Sequence, residues 1–199
     1  MNLIKRVKSR LYILRRSKFY CNAEGRRTLF FAFVYPLFDY ALTAWFPLSL
    51  TLRQTVETLF RHCCRIVLND STFLPVISNI GVYRELQILP LHLQYQFDTA
   101  KLLFRIIRLN EVPALGDLLQ WSPTCSTRSS ALMDLKEPQS RSERSRSSFE
   151  FCSCRLWNSI PSDIRNAVSQ RSFEAQYMPH LLLMLYHNYE FNRKLYDFV

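Results

Sequence analysis

One apolar stretch, residues 28–46, dominates the pattern of apolar and polar positions; it is the longest in the chain and holds a single charge, Asp39. As a helix it would cross a small domain or nearly span a bilayer. Pro36 interrupts the backbone hydrogen bonds of a helix, and an ionised carboxylate is costly at the centre of a bilayer. We therefore predict a central core helix kinked at Pro36, with membrane insertion of residues 28–50 as the alternative.

Helical spacing of apolar residues recurs along most of the remaining chain. It predicts helices over about 3–18, 51–68, 91–110 and 173–189, and shorter ones over 82–86, 113–121 and 163–167. The candidate N-capping residues are Asn22, Ser49 or Thr51, and Ser162. Residues 122–148 lack this periodicity and are rich in Ser, Thr, Arg and Pro, which is typical of an extended arm or linker.

These elements define a mainly α fold, and the presence of only three glycines argues against tight hairpins. We predict a helical bundle with a basic N-terminal helix, an extended Ser/Arg-rich arm, and a C-terminal helical segment packed back on the bundle. The corresponding domains are a thumb-like bundle over 1–121, the arm over 122–147 and the C-terminal segment over 148–199.

The net charge of +10 is concentrated at one end of the chain. Residues 1–27 carry nine Lys and Arg against one acid, Glu24, whereas the rest is close to neutral. Such a concentration indicates a polyanionic partner, either nucleic acid or an acidic membrane surface.

The first predicted helix is amphipathic, with Leu3/Ile4, Val7, Leu11 and Leu14 on one stripe and cations over most of the rest. Each cation could neutralise a phosphate and release a counterion. Two alternatives are that the cations only form a face exposed to solvent, or that the helix lies on a membrane surface. The candidate nucleic-acid-binding residues are Lys5, Arg6, Lys8, Arg10, Arg15, Arg16, Lys18, Arg26 and Arg27. Because the spacing of the aromatic residues places them on apolar stripes and not between the cations, we expect no base-specific readout.

No catalytic constellation is recognisable in the sequence. His62, Cys63 and Cys64 are consecutive, so on a helix they cannot close a tetrahedral metal site. The aspartates are isolated from one another, and phosphate-loop and dinucleotide motifs are missing. We expect no enzymatic activity from the chain alone, and no cofactor, metal or small-molecule substrate. Six cysteines without a disulfide pattern indicate an intracellular protein, in the cytoplasm or the nucleus.

The C-terminal part carries a series of short motifs. They are Ser-Phe at 148–149, Leu-Trp-Asn-Ser-Ile-Pro at 156–161, Ile-Arg-Asn at 164–166, and Ser169 with Phe173. This series resembles the C-terminal region of LINE-type (non-LTR) retrotransposon reverse transcriptases, in which Leu is usual where Ile160 stands.

Further stretches are similar to the same family, in the same order along the chain. They are Arg-Leu-Tyr-Ile-Leu-Arg-Arg-Ser-Lys-Phe at 10–19, the pattern of Leu29, Pro36, Asp39, Tyr40 and Trp45, the pattern of Leu52, Leu59, Arg61, Arg65 and Ile66, and Thr-Arg at 127–128. The resemblance extends from about residue 5 to residue 185, and the last pair adds Arg128 to the candidate nucleic-acid-binding residues.

The resemblance implies the region that follows the palm, comprising the thumb-like helices and the C-terminal region that hold template RNA and primer–template duplex. The catalytic aspartates and the endonuclease of an RNA-directed DNA polymerase would lie upstream of Met1. The implied partners are RNA or RNA–DNA duplex and the palm domain of a reverse transcriptase. The chain lacks the Cys/His zinc motif with which some members end.

Two alternatives stay open at this stage, and both differ in class from a nucleic-acid-binding fragment. One is a membrane-associated protein with residues 28–50 inserted. The other is a translated transposon relic without molecular function, which would be partly molten because core surface that once faced the palm is exposed.

Overall fold

The computed structural model describes residues 2–46, 48–70, 77–121, 134–139, 142, 145 and 148–196, including the side chains of the described residues from 3 to 185. The helices are α1 Asn2–Ser17, α2 Ala23–Leu29, α3 Tyr35–Asp39, α4 Leu42–Trp45, α5 Leu50–Val67, α6 Asn79–Leu86, α7 Leu91–Leu109, α8 Pro113–Gly116, α9 Phe149–Ser159, α10 Ser162–Arg165 and α11 Gln170–Tyr196. Over these described ranges, β pairing is limited to one antiparallel bridge between Trp121 and Leu135. The prediction of a mainly α fold is confirmed.

The chain divides into two compact units, Met1–Tyr95 and Gln96–Val199. The boundary falls inside α7, whereas the sequence-based prediction placed the first boundary at residue 121. Most of the predicted arm over 122–147 lies outside the described residues.

The first unit has an apolar core to which α1, α3 and α5 contribute, with aromatic rings at its centre from α3 and α5. Phe60 of α5 is fully buried and makes an edge-to-face contact with Phe38 of α3, with ring centroids 5.0 Å apart. On its other side, Phe60 stacks on Tyr83 of α6 at 6.1 Å. These ring contacts stabilise the core in addition to the burial of apolar area. The apolar stripes predicted for α1 and α5 face this core.

The apolar stretch at 28–46 is not one kinked helix. A π-helical turn, Phe30–Val34, precedes Pro36, and the N–H of Tyr35 donates to the carbonyl of Phe30. The wider turn accommodates a proline ring that would otherwise clash with the carbonyl four residues earlier. The helix ends at Asp39, and Ala41 then adopts a left-handed conformation with φ of 52°.

The apolar side chains of this stretch contribute to the core of the first unit. Phe30, Val34 and Phe38 are each at most 1% exposed. Over the part of the chain that the structure describes, no helix combines the length and apolarity needed to cross a membrane.

In the second unit, α11 packs on α7 through aromatic rings. Phe173 stacks on Phe104 with centroids 4.8 Å apart, and Tyr177 stacks on Phe97 at 6.3 Å. Burial raises the pKa of the Tyr177 phenol. The sequence predicts that the C-terminal segment packs back on the bundle over 1–121, and α11 packs on α7, which belongs to that range.

The motif at 156–161 joins a described part of the arm to α9. Trp157 is fully buried, while the amide of Asn158 pairs with the backbone of Leu135 in both directions. Asn158 Oδ1 accepts from the Leu135 N–H at 2.9 Å, and Asn158 Nδ2 donates to the Leu135 carbonyl at 2.8 Å. Arg165 completes the attachment by donating to Asp134 Oδ1 at 2.7 Å.

Two predicted helix ends differ in detail. Pro161, not Ser162, occupies the N-cap of α10, without a side-chain hydrogen bond. Helix α11 is longer than predicted because it continues through Pro179 and past residue 189. The predicted cap at Asn22 is confirmed, since Asn22 Oδ1 accepts from the Gly25 N–H at 2.8 Å.

Candidate nucleic-acid interface

Helix α1 is fixed to the first unit by its apolar stripe. Val7, Leu11 and Leu14 are buried, and Ser17 caps its own last turn by donating to the Leu14 carbonyl at 2.6 Å. Because these residues recur every three or four positions, one side of the helix faces the core. Most of the remaining positions are exposed to solvent, and the helix contains no acidic residue.

Three of the candidate cations are both exposed and without an intramolecular partner among the described residues: Lys5, Arg6 and Lys8. All three are exposed, and within the described residues none of them forms a hydrogen bond or an ion pair. Their charge is therefore available to an external anion. Separated by one to three positions on a rigid helix, they present cations at fixed spacing along its axis.

Further along α1, Arg15 and Arg16 are exposed but make side-chain contacts. Arg15 Nη2 lies 2.9 Å from His62 Nε2 on α5. Since a guanidinium can only donate, Nε2 accepts and the imidazole is neutral with its proton on Nδ1. Burial and the charge of Arg15 lower the pKa of His62, so the imidazole adds no positive charge at neutral pH.

Arg16 extends towards an exposed aromatic ring one turn earlier. Its Nη1 donates to Tyr12 Oη at 3.0 Å, and its Cζ lies 5.6 Å from the centroid of that ring. On the opposite flank, Arg10 donates to the carbonyl of Phe33. Arg10 also lines a shallow apolar pocket of about 200 Å³, whose other walls include Ile13 and Leu29.

Arg26 and Arg27 bind backbone carbonyls inside the first unit. Arg26 donates from Nε to the Val67 carbonyl and from Nη1 to the Cys21 carbonyl, both at 2.9 Å. Arg27 Nη2 donates to the Leu86 carbonyl at 3.1 Å. Val67 and Leu86 are the last residues of α5 and α6, where carbonyls lack intrahelical partners. Both arginines are half-buried, so they hold helix ends together in addition to any contact with phosphate.

The remaining two candidates lie outside α1. Lys18 follows the helix in a turn and is half-buried, and Arg128 lies outside the described residues. The structure thus brings together on α1 the candidates from Lys5 to Arg16, and it gives Arg26 and Arg27 intramolecular partners.

Three exposed aromatic residues accompany the cations, contrary to the premise that aromatic residues are confined to apolar stripes. Tyr12, Phe19 and Tyr20 are 61%, 84% and 81% exposed. The exposure of Tyr12 could have been found from the sequence, because Tyr12 lies about 140° from Val7 on a helical wheel. A helix position that far from the apolar stripe faces solvent.

Within the described residues, no three His, Cys, Asp or Glu side chains are placed to hold a metal ion. The thiols next to His62 belong to the core: burial raises the pKa of Cys63 to about 12, and that of the fully buried Cys64 is raised as well. Such thiols are not activated as nucleophiles at neutral pH.

Comparison of the chain with protein-family models, with curated proteins and with solved structures finds no match in any of the three.

Proposed function

We propose that the cationic face of α1 binds the phosphates of RNA or of an RNA–DNA primer–template duplex. The observation that carries the proposal is the group Lys5, Arg6 and Lys8, exposed on a helix without acidic residues. Cations at fixed positions neutralise phosphates and release the counterions condensed on a nucleic acid. This contribution to the binding free energy does not depend on the nucleotide sequence.

We further propose that the chain acts as a non-catalytic region of a LINE-type (non-LTR) reverse transcriptase, beside the palm domain of such an enzyme. The motifs along residues 148–173 and the similar stretches from residue 5 onward support this proposal. An RNA partner would place the chain in the cytoplasm or the nucleus.

A titration of fluorescent RNA, RNA–DNA hybrid and duplex DNA at several salt concentrations tests phosphate binding. The logarithm of the affinity is expected to fall linearly with the logarithm of salt concentration, with a slope of about 0.9 per phosphate contact on a duplex. The double variant Lys5→Glu with Lys8→Glu is expected to bind all three nucleic acids more weakly and with a smaller slope.

The matched control is Lys136→Glu with Arg171→Glu, which changes the net charge equally at two exposed positions outside the first unit. An equal loss of affinity in the two double variants would mean that net charge, and not α1, determines binding. Absence of binding at low salt would refute the proposal.

A further inference from the structure

We infer that Tyr12, Phe19 and Tyr20 form a platform on which the unpaired bases of a single nucleic-acid strand stack, beside the cations that hold its phosphates. The inference rests on the proposed phosphate binding by α1 and adds the kind of nucleic acid that this surface takes. The three residues are called the aromatic platform below.

The three rings of the aromatic platform are exposed to solvent. Aromatic side chains bury large areas when they find a partner, and exposed ones are unusual when several occur close together in the sequence. The three rings of the aromatic platform are each more than half exposed and lie within nine consecutive residues, 12–20.

The helix and the turn after it fix the backbone positions that carry the three rings. Tyr12 lies in α1, and Phe19 and Tyr20 lie in the turn that follows the helix. After α1 ends at Ser17, the backbone N–H groups of Phe19 and Tyr20 donate to the carbonyls of Arg16 and Ser17 at 3.1 and 3.2 Å. The turn thus fixes the backbone of Phe19 and Tyr20 at the end of the helix, while their rings stay exposed.

Aromatic residues alternate with cations along this part of the chain. Lys8, Arg15 and Arg16 lie on the side of α1 that carries Tyr12, and the guanidinium of Arg16 is next to the Tyr12 ring. A single strand offers the matching alternation, since each nucleotide carries one phosphate and one flat base. A duplex hides its base faces in the stack, so the aromatic platform favours unpaired strands.

A basic helix with exposed apolar residues could also bind an anionic membrane, but the burial of α1 argues against this partner. Interfacial helices insert a continuous apolar face into the lipid. In this protein the corresponding face, Val7, Leu11 and Leu14, is at most 4% exposed because it packs in the core.

The test compares oligothymidylate with an abasic deoxyribose–phosphate oligomer of equal length, so that the phosphates are matched and only the bases differ. The variants Tyr12→Ala and Phe19→Ala are each expected to bind oligothymidylate about 5- to 150-fold more weakly, the range for loss of one stacking contact. Their affinity for the abasic oligomer is expected to equal that of the unchanged protein.

Control variants separate stacking from other effects of substitution. Tyr40→Ala removes a ring that is 82% exposed elsewhere in the first unit and is expected to leave both affinities unchanged. Tyr12→Phe and Phe19→Tyr keep a π face and are expected to keep most of the preference for oligothymidylate over the abasic oligomer.

The inference would be overturned if Tyr12→Ala and Phe19→Ala lost affinity equally for the two oligomers, or lost affinity for neither. Salt-dependent binding of the abasic oligomer that is unaffected by the aromatic variants would leave phosphate binding in place and remove stacking alone. If neither oligomer binds at low salt but the RNA–DNA hybrid does, the inference fails and the proposed phosphate binding stands. If RNA and the hybrid also fail to bind at low salt, the proposed function itself fails. Binding to phosphatidylserine vesicles that depends on the aromatic platform, with equal affinity for both oligomers, would identify a lipid contact instead.

Discussion

Arg15 of α1 donates to His62 of α5 through an Nη2–Nε2 contact of 2.9 Å, so a candidate nucleic-acid-binding residue is held by a neutral imidazole. Protonation of His62 would remove the acceptor and place two positive charges side by side. The contact therefore links the position of Arg15 to pH.

We expect the free energy of unfolding to fall as the pH is lowered below about 6.5, with a contribution from His62. Burial and Arg15 lower the pKa of this histidine in the folded protein, so the unfolded chain takes up its proton first. The stability that His62 contributes is complete above the pKa of His62 in the unfolded chain. It is lost as the pH falls towards the lower pKa of His62 in the folded protein. Urea denaturation at about pH 7.5 and about pH 5.5 measures it.

The variant His62→Gln isolates this contribution, since an amide oxygen can still accept from Arg15 but does not titrate. The other histidines are the same in both proteins, so the difference between the two proteins reports on His62. The variant is expected to lose less stability between the two pH values than the unchanged protein. If both proteins lost the same free energy of unfolding between the two pH values, protonation of His62 would not account for any of that loss.

Arg26→Ala is expected to lower the free energy of unfolding by about 1–3 kcal/mol, because it removes the donors to the Val67 and Cys21 carbonyls. Lys5→Ala, at an exposed position of α1, is expected to change stability by at most about 0.5 kcal/mol. Chemical denaturation monitored by circular dichroism measures both values. Equal denaturation midpoints for the two variants would mean that the Arg26 contacts do not stabilise the fold.

Asn158→Ala is expected to release the described arm residues 134–139 from α9. The substitution removes both hydrogen bonds to the backbone of Leu135, whose side chain is buried. Hydrogen exchange followed by mass spectrometry is expected to show faster exchange over these residues than in the unchanged protein. Asn166→Ala, at an exposed position of the same motif series, serves as the control. Unchanged protection in Asn158→Ala would contradict the role of the amide.

Cys63 and Cys64 are expected to react with iodoacetamide only when the first unit opens. Both side chains are fully buried, and burial raises the pKa of Cys63 to about 12, so the thiolate is scarce at neutral pH. Cys21 is half-buried and provides an internal comparison. Peptide mapping after timed alkylation is expected to show Cys21 modified first, with Cys63 and Cys64 following as urea is added. Equal rates without denaturant would contradict the packing of α5.

The parts of the fold that follow from local periodicity could be predicted from the sequence. The apolar stripe of α1, the boundaries of α5 within one residue and the Asn22 cap all depend on neighbours a few positions away. The π-helical turn before Pro36 could not be predicted, because a proline can be accommodated by a kink, a break or a wider turn.

The candidate site was predictable only in part, for a related reason. Charge patterning identifies α1 as cationic, but Arg26 and Arg27 have carbonyl partners 41 and 59 residues away, which no local pattern indicates. The exposed ring of Tyr12 could have been inferred from its angle to the apolar stripe, whereas the exposure of Phe19 and Tyr20 depends on the turn that ends the helix.

The anchoring of α1 by Val7, Leu11 and Leu14 also bears on the energetics of association. Many basic segments are disordered until RNA orders them, and they lose conformational entropy at that moment. Helix α1 is already ordered by the core, so the far-ultraviolet circular dichroism spectrum of the protein is expected to stay constant as nucleic acid is added. On binding, the nucleic acid would therefore have to adjust its backbone conformation to charges whose positions are already fixed by the fold.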